Sequence, residues 1–195
     1  MSEILESEKT VGAILANSSF AGVSPTNEVS YSWGDQLELH QWIIAKDKEI
    51  SGMRAFGKEN KSKYPLIWMV HPIEGKIQFD GNLFEGIQFV IACSTKAEWL
   101  NLTREHETMP TLTKIANHFL EILDTNKNAS IIKTDGVRNV KFRKIYNYQE
   151  ATPEKYRTVD NGNHSLDIWD AIVLRFDLKI NNNCLNKTNN GNCYK

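Results

Sequence analysis

Two adjoining stretches of the chain, Phe84–Ser94 and Pro110–Leu123, constrain its fold more than any other part of the sequence. In the first stretch, alternate residues point to one face of an extended chain, and this face carries Ile87, Phe89, Ile91 and Cys93. The opposite face is mostly apolar as well, which predicts a central strand. In the second stretch, apolar residues recur with helical spacing and form one stripe: Leu112, Ile115, Ala116, Phe119, Leu120 and Leu123. A strand followed by a helix that must cover a sheet predicts an α+β domain.

The remaining segments add further helices and strands to this nucleus. We expect a first helix over residues 3–16, a second helix that begins at Asp35 with a capping box to Glu38, and a buried strand at Tyr64–Val70. The last strand directs one apolar face inward: Ile172, Leu174, Phe176, Leu178 and Ile180. The predicted fold class is therefore α+β, with a mostly antiparallel sheet and helices packed on one face.

Two Asp-Gly pairs predict tight hairpin turns. The pair Asp80-Gly81 would join a short strand to the Phe84–Ser94 strand. The pair Asp135-Gly136 would join Ser130–Lys133 to Val137–Tyr148 as a projecting or edge hairpin.

Length and composition predict one domain with a polar ending. With 195 residues, of which 41% are hydrophobic and 24% charged, the chain is long enough to bury one core. We expect residues 1–180 to form a single α+β domain, with helix 3–16 either in the core or forming an arm. Residues 181–195 are rich in asparagine, which predicts a flexible tail or one ordered by a partner.

Charge and cysteine usage limit the partners and the compartment. The net charge of -1 argues against broad electrostatic attraction to nucleic acid, and no apolar run is long enough to cross a membrane. The acidic start MSEILESEKT does not have the pattern of a signal peptide, so we expect a chain made in the cytoplasm. Cys93 is expected in the core. A bridge between Cys184 and Cys193 stays open, although a reducing cytosol disfavours it.

The sequence has no recognisable catalytic, cofactor-binding or metal-binding motif. It contains no Walker A sequence, no glycine-rich dinucleotide fingerprint, no H-E-x-x-H, no G-x-S-x-G and no C-x-x-C. We therefore expect a protein that is not an enzyme and binds no cofactor, metal or small-molecule substrate.

One alternative is a magnesium-dependent nuclease built on the last strand. Its residues would be Asp167, Asp170, Asp177 and Lys179, since carboxylates hold Mg²⁺ and a lysine steadies the nucleophile in such sites. The same charges, alternating with Arg175 along an exposed face, are also typical of a protected edge strand.

Two groups of residues are candidates for an assembly interface. Trp99, Leu100 and Leu102 lie on a long connection, where bulky apolar residues either tuck onto the core or form a docking anchor. The second group is basic and follows the Asp135 turn: Lys141, Arg143 and Lys144. It would contact phosphate or an acidic protein surface, or form a solvated hairpin.

Four segments follow one another along the chain: the turn Tyr31–Gly34, KYPLIWMV at Lys63–Val70, the strand and helix of Gly86–Leu123 with Trp99-Leu100-Asn101 between them, and SLDIWDAIVLRFDLKI at Ser165–Ile180 followed by Cys184. In the order of these segments the chain resembles the tail-terminator and head–tail joining (neck or connector ring) proteins of tailed bacteriophages, especially in phages of Bacteroidota-type hosts. The resemblance covers most of residues 1–184 and includes no catalytic signature.

This resemblance implies a small α+β subunit that forms a homo-oligomeric ring in the virion. The ring would join the portal to the tail or cap the tail tube, contact other portal, neck or tail proteins, and line the channel for DNA without reading its sequence. Assembly would take place in the cytoplasm of the bacterial host, away from any membrane.

Overall fold

A computed structural model of the chain describes residues 6–55, 63–96, 98–148 and 169–181. Four helices lie within these residues: α1 (Glu6–Ala16), α2 (Gln36–Ala55), α3 (Asn101–Glu107) and α4 (Met109–Thr125). The strands are β1 (Ser30–Gly34), β2 (Leu66–Val70), β3 (Gly75–Gln78), β4 (Gly81–Ser94), β5 (Ala129–Ile131), β6 (Lys133–Thr134), β7 (Val137–Arg138), β8 (Lys141–Tyr148) and β9 (Trp169–Asn181).

The strands form one main sheet and one small hairpin. The main sheet has seven strands in the order β1-β2-β4-β9-β5, with β3 beside β4 and β8 beside β9. All of its pairs are antiparallel except β1 with β2. Strands β6 and β7 pair separately. The predicted α+β class with a mostly antiparallel sheet is confirmed.

The long strands β4 and β9 form a central ribbon. They pair from Gly81 opposite Asn181 to Ser94 opposite Trp169. The prediction that Phe84–Ser94 is a central strand is confirmed. The interpretation of the last strand as an edge is wrong, because β9 has β4 on one side and both β5 and β8 on the other. Near Val173, β9 carries apolar residues on both faces, because each face of the strand is covered by a core cluster.

Helices α1 and α4 cover one face of the ribbon. Every residue of the predicted apolar stripe of α4 is buried, together with Met109. The ring of Phe89 lies between Phe119, 4.9 Å away in an edge-on arrangement, and Phe176, stacked at 5.5 Å. Val11, Ile14 and Leu15 of α1 join the same core.

Helix α2 covers the opposite face, so the prediction that the helices pack on one face is wrong. Leu39 and Ile43 of α2 cluster with residues of the other strand faces: Leu66, Trp68, Val90, Ala92, Trp169, Ala171 and Val173. The register places Trp68, Val90 and Val173 side by side across three strands, and this apolar row needs its own cover. The predicted capping box is present: Glu38 N–H donates to Asp35 Oδ1 at 2.9 Å, and Asp35 N–H donates to Glu38 Oε2 at 2.7 Å.

The two predicted turns differ in outcome. In the first hairpin the turn residues are Phe79 and Asp80, because Gln78 pairs with Gly81. Gly81 belongs to β4, where a Cβ atom would lie 2.3 Å from the Ile180 carbonyl oxygen. The prediction is therefore wrong by one residue.

The second turn is confirmed, but the strands beside it are not arranged as predicted. Asp135 (φ 50°) and Gly136 (φ 78°) have the left-handed backbone of a two-residue hairpin turn. This turn joins only β6 and β7. The flanking strands β5 and β8 pair with β9 and not with each other.

Candidate functional site

A buried arginine fixes the long connection between β4 and α3. Arg104 is 1% exposed, and its Nη1 lies 2.8 Å from Asp170 Oδ1 at the start of β9. Its Nε donates to the Trp99 carbonyl at 2.8 Å and its Nη2 donates to the Lys96 carbonyl at 2.7 Å. Thr108 donates a hydrogen bond to the other Asp170 oxygen. These bonds tie Lys96 and Trp99 of the connection to the sheet.

Two leucines at the start of α3, directly after this connection, are exposed to solvent. Leu100 is 75% exposed and Leu102 is 71% exposed, and together we call them the α3 patch. Trp99 is half-buried, with the Lys96 ammonium 5.4 Å from its ring centroid. Of the two alternatives predicted for this segment, a tuck onto the core or an exposed anchor, the leucines adopt the exposed position. The half-buried Trp99 is not among the residues that pack against either core cluster.

The predicted basic residues lie on β8, next to α3, but they divide between two strand faces. Lys144 Nζ lies 3.0 Å from Glu105 Oε1 of α3, and Tyr146 donates a hydrogen bond to the same oxygen. The Tyr146 and Lys144 hydrogen bonds hold the pKa of Glu105 below its usual range, and the bond to Glu105 raises the pKa of Tyr146 to about 12. Lys141 and Arg143 point to the other face, because side chains alternate along a strand. The structure thus brings only Lys144 close to α3.

A second apolar patch, at the tip of the β3–β4 hairpin, was not predicted as an interface. Ile77 is 71% exposed and Phe79, in the turn itself, is completely exposed; we call these two residues the hairpin patch. In the sequence they have the spacing of strand residues that face one side, and that spacing does not reveal whether the side is covered. The sequence does contain one signal of exposure: the large aromatic residue Phe79 stands directly before the Asp80-Gly81 pair, where a turn is expected.

The two patches lie at opposite ends of the central ribbon. The hairpin patch adjoins Gly81 at the start of β4, and the α3 patch follows Ser94 at its end. A strand of 14 residues spans about 43 Å at roughly 3.3 Å per residue, so the two patches belong to distant surfaces.

The acidic residues proposed for a nuclease do not converge. Asp170 lies on the α4 side of β9 and is engaged by Arg104 and Thr108. Asp177 lies on the other side, where its Oδ1 accepts a hydrogen bond from Gly86 N–H at 2.6 Å, and Lys179 pairs with Asp80. Asp167 lies outside the described residues. Within the part of the chain that is described, no three His, Cys, Asp or Glu side chains are placed to hold a metal ion.

Much of the positive charge around the β6–β7 hairpin is already neutralised. Lys133 Nζ and Arg138 Nε lie 3.1 Å and 2.7 Å from the same Asp124 oxygen. Since Lys144 is paired with Glu105, the basic stretch presents far less free charge than its sequence indicates.

Known proteins give no indication of the function of this chain. No family model, curated protein or solved structure matches this chain. Among the described helices, none is both long and apolar enough to cross a membrane.

Proposed function

We propose that this protein is a structural subunit that assembles head-to-tail, with the hairpin patch of one copy seated on the α3 patch of the next. The carrying observation is the position of two exposed apolar patches at opposite ends of the β4–β9 ribbon. A contact between two different surfaces of identical subunits repeats from copy to copy and closes into a ring when the rotation permits. The apolar side chains supply the attraction, because association removes them from water.

The setting that fits such a ring best is the head–tail junction or tail end of a tailed bacteriophage. The support is the resemblance in segment order described above, together with an α+β subunit that has a mostly antiparallel sheet. In this role the ring joins the portal to the tail or caps the tail tube. The near-neutral net charge of -1 suits a channel wall past which DNA moves without being held.

The first experiment measures particle mass and symmetry. We expect light scattering after size exclusion to give a mass several times that of the 22.3 kDa subunit, and electron microscopy to show closed rings. A monomer at every concentration up to the solubility limit contradicts the proposal.

A complementation experiment tests the head-to-tail contact itself. The variants Ile77→Ser/Phe79→Ser and Leu100→Ser/Leu102→Ser each lose one patch, so each alone is expected to be monomeric. Mixed in equal amounts, they are expected to form a dimer and nothing larger, because one intact patch of each kind remains. Val137→Ser removes an exposed apolar residue outside both patches and should assemble like the wild type. A single variant that still dimerises alone shows that like patches pair, and the proposal fails.

A further inference from the structure

Among the described strands, β8 lies at an edge of the main sheet. It pairs with β9 from Lys141 opposite Arg175 to Tyr148 opposite Trp169, and no other described strand pairs with it. In antiparallel pairs, alternate residues direct their backbone N–H and C=O groups away from the partner. Of the eight residues of β8, about four therefore present backbone groups that a further strand can bind.

The free charges at this edge are positive. Lys141 and Arg143 are exposed on one face of β8, and neither forms an ion pair with any described residue. This differs from Lys144 on the opposite face, which Glu105 already neutralises. A strand that adds to this edge meets two cations placed two residues apart.

A second copy of β8 is a poor partner for this edge. When two such strands pair antiparallel with Phe142 opposite Phe142, Lys141 of each copy lies opposite Arg143 of the other. When Arg143 lies opposite Arg143, two guanidinium groups face each other. Like charges directly opposite one another are destabilising. The basic residues thus guard against self-pairing and at the same time favour an acidic strand.

An apolar residue between the cations defines the partner further. Phe142 points to the face opposite Lys141 and Arg143 and is 70% exposed. An added strand with an acidic residue at every second position places its carboxylates near the cations and its intervening side chain near Phe142.

We propose that the β8 edge binds an extended acidic segment of another protein by strand addition. Backbone pairing along Lys141–Ile145 provides affinity, and the two cations select carboxylates at alternate positions. This site does not involve the hairpin patch or the α3 patch, and it stands whether or not the subunits form a ring.

Arg143 is the stronger of the two selecting residues. Lys141 lines a cleft of about 410 Å³ that also contains Arg175 and the carboxylates of Glu74, Glu85 and Asp177, so acidic groups of this chain already surround its charge. Arg143 pairs across the sheet with the apolar Val173 and is not among the residues that line this cleft.

The test uses a fluorescein-labelled peptide, Glu-Val-Glu-Val-Glu, with both ends blocked, and follows its binding by fluorescence anisotropy. We expect Arg143→Glu to weaken binding at least tenfold. The matched variant Lys48→Glu reverses an exposed charge on α2 and should stay within twofold of the wild type. An equal effect of both variants overturns the proposal, because only net charge would then be sensed.

A second pair of peptides separates strand addition from simple charge attraction. Both keep the sequence, but one carries N-methyl groups on the three glutamates and the other on the two valines. An added strand directs only one of these two sets toward β8, so one peptide should lose at least tenfold in affinity while the other binds like the parent. Equal binding by both peptides overturns the proposal. So does tighter binding of a labelled dT12 oligonucleotide that is lost in Arg143→Glu, which would make the edge a nucleic-acid site.

Discussion

Arg104 and Asp170 show how one buried pair supports the proposed interface without belonging to it. The pair lies among side chains that exclude water, and its bonds to two carbonyl groups shape the connection that carries Leu100 and Leu102. Burying two charges costs desolvation energy, so the pair is weak evidence for net stability but strong evidence for a defined local geometry.

Removal of Asp170 is expected to be severe. In Asp170→Ala the Arg104 guanidinium stays buried without its carboxylate, and we expect the free energy of unfolding to fall by about 3–5 kcal/mol. Urea denaturation followed by circular dichroism measures this. The exposed Lys114→Ala variant on α4 should stay within about 0.5 kcal/mol of the wild type. A loss no larger than that of Lys114→Ala would mean that the pair does not hold the connection.

Cys93 is expected to be an unreactive thiol. Burial, reinforced by the charge of Asp170, raises its pKa to about 12, and the thiolate is the reacting species. In a Cys184→Ser/Cys193→Ser background, we expect Ellman's reagent at pH 8 to react at least about 100-fold more slowly with the folded chain than with the urea-unfolded chain. Comparable rates would show that the thiol is accessible in the folded state.

The same thiol gives a pH dependence of stability. The folded chain keeps the Cys93 proton to a higher pH than the unfolded chain, whose thiol has a pKa of about 8.5. This contribution to stability is therefore complete below pH ~8.5 and is lost as the pH rises toward 12. Cys93→Ala in the same background should show less loss of stability between these pH values, as measured by urea denaturation.

At the scale of elements, two charged residues of β9 stabilise an irregularity in β4. The register between these strands shifts between Phe84 and Ile87, where Gly86 has a φ of 60°. Asp177 accepts from the Gly86 amide, and Arg175 Nε donates to its carbonyl at 3.2 Å. Asp177, one of the residues considered for a nuclease site, therefore holds this bulge together with Arg175.

The conformation of Gly86 in this bulge leads us to expect that an alanine at this position lowers the stability of the fold. In Gly86→Ala, the left-handed backbone is strained and the new Cβ lies 2.9 Å from Arg175 Nε, so we expect a loss of about 1–2 kcal/mol in unfolding free energy. Gly136→Ala is the matched control, since its φ is also positive but no atom lies within 4 Å of its Cβ. Urea denaturation should rank Gly86→Ala as the more damaging change, and the opposite order would contradict the steric part of the argument.

At the scale of the whole molecule, the apolar patches link stability to assembly. If the hairpin patch binds the α3 patch, association favours the folded state by mass action. We expect the Tm of the wild type to rise with protein concentration, as measured by calorimetry over a 100-fold range. The Ile77→Ser/Phe79→Ser variant should keep a constant Tm over the same range, and a rise equal to that of the wild type would exclude the hairpin patch from the contact.

The sequence alone determined the elements whose signals are local. The alternation in β4, the stripe of α4, the capping box of α2 and the Asp135-Gly136 turn each depend on residues a few positions apart, and each is present in the structure. The same local signals singled out Leu100 and Leu102 but placed both on a connection, whereas Leu102 lies in the first turn of α3.

Only the tertiary structure decided how these elements meet. Asp170 binds Arg104, which is 66 residues away in the sequence, and Asp177 binds Gly86, which is 91 residues away. The central position of β9, the cover of both sheet faces and the two distant apolar patches all follow from such contacts. No local pattern encodes them, because whether an apolar side chain is covered depends on what the rest of the chain packs against it.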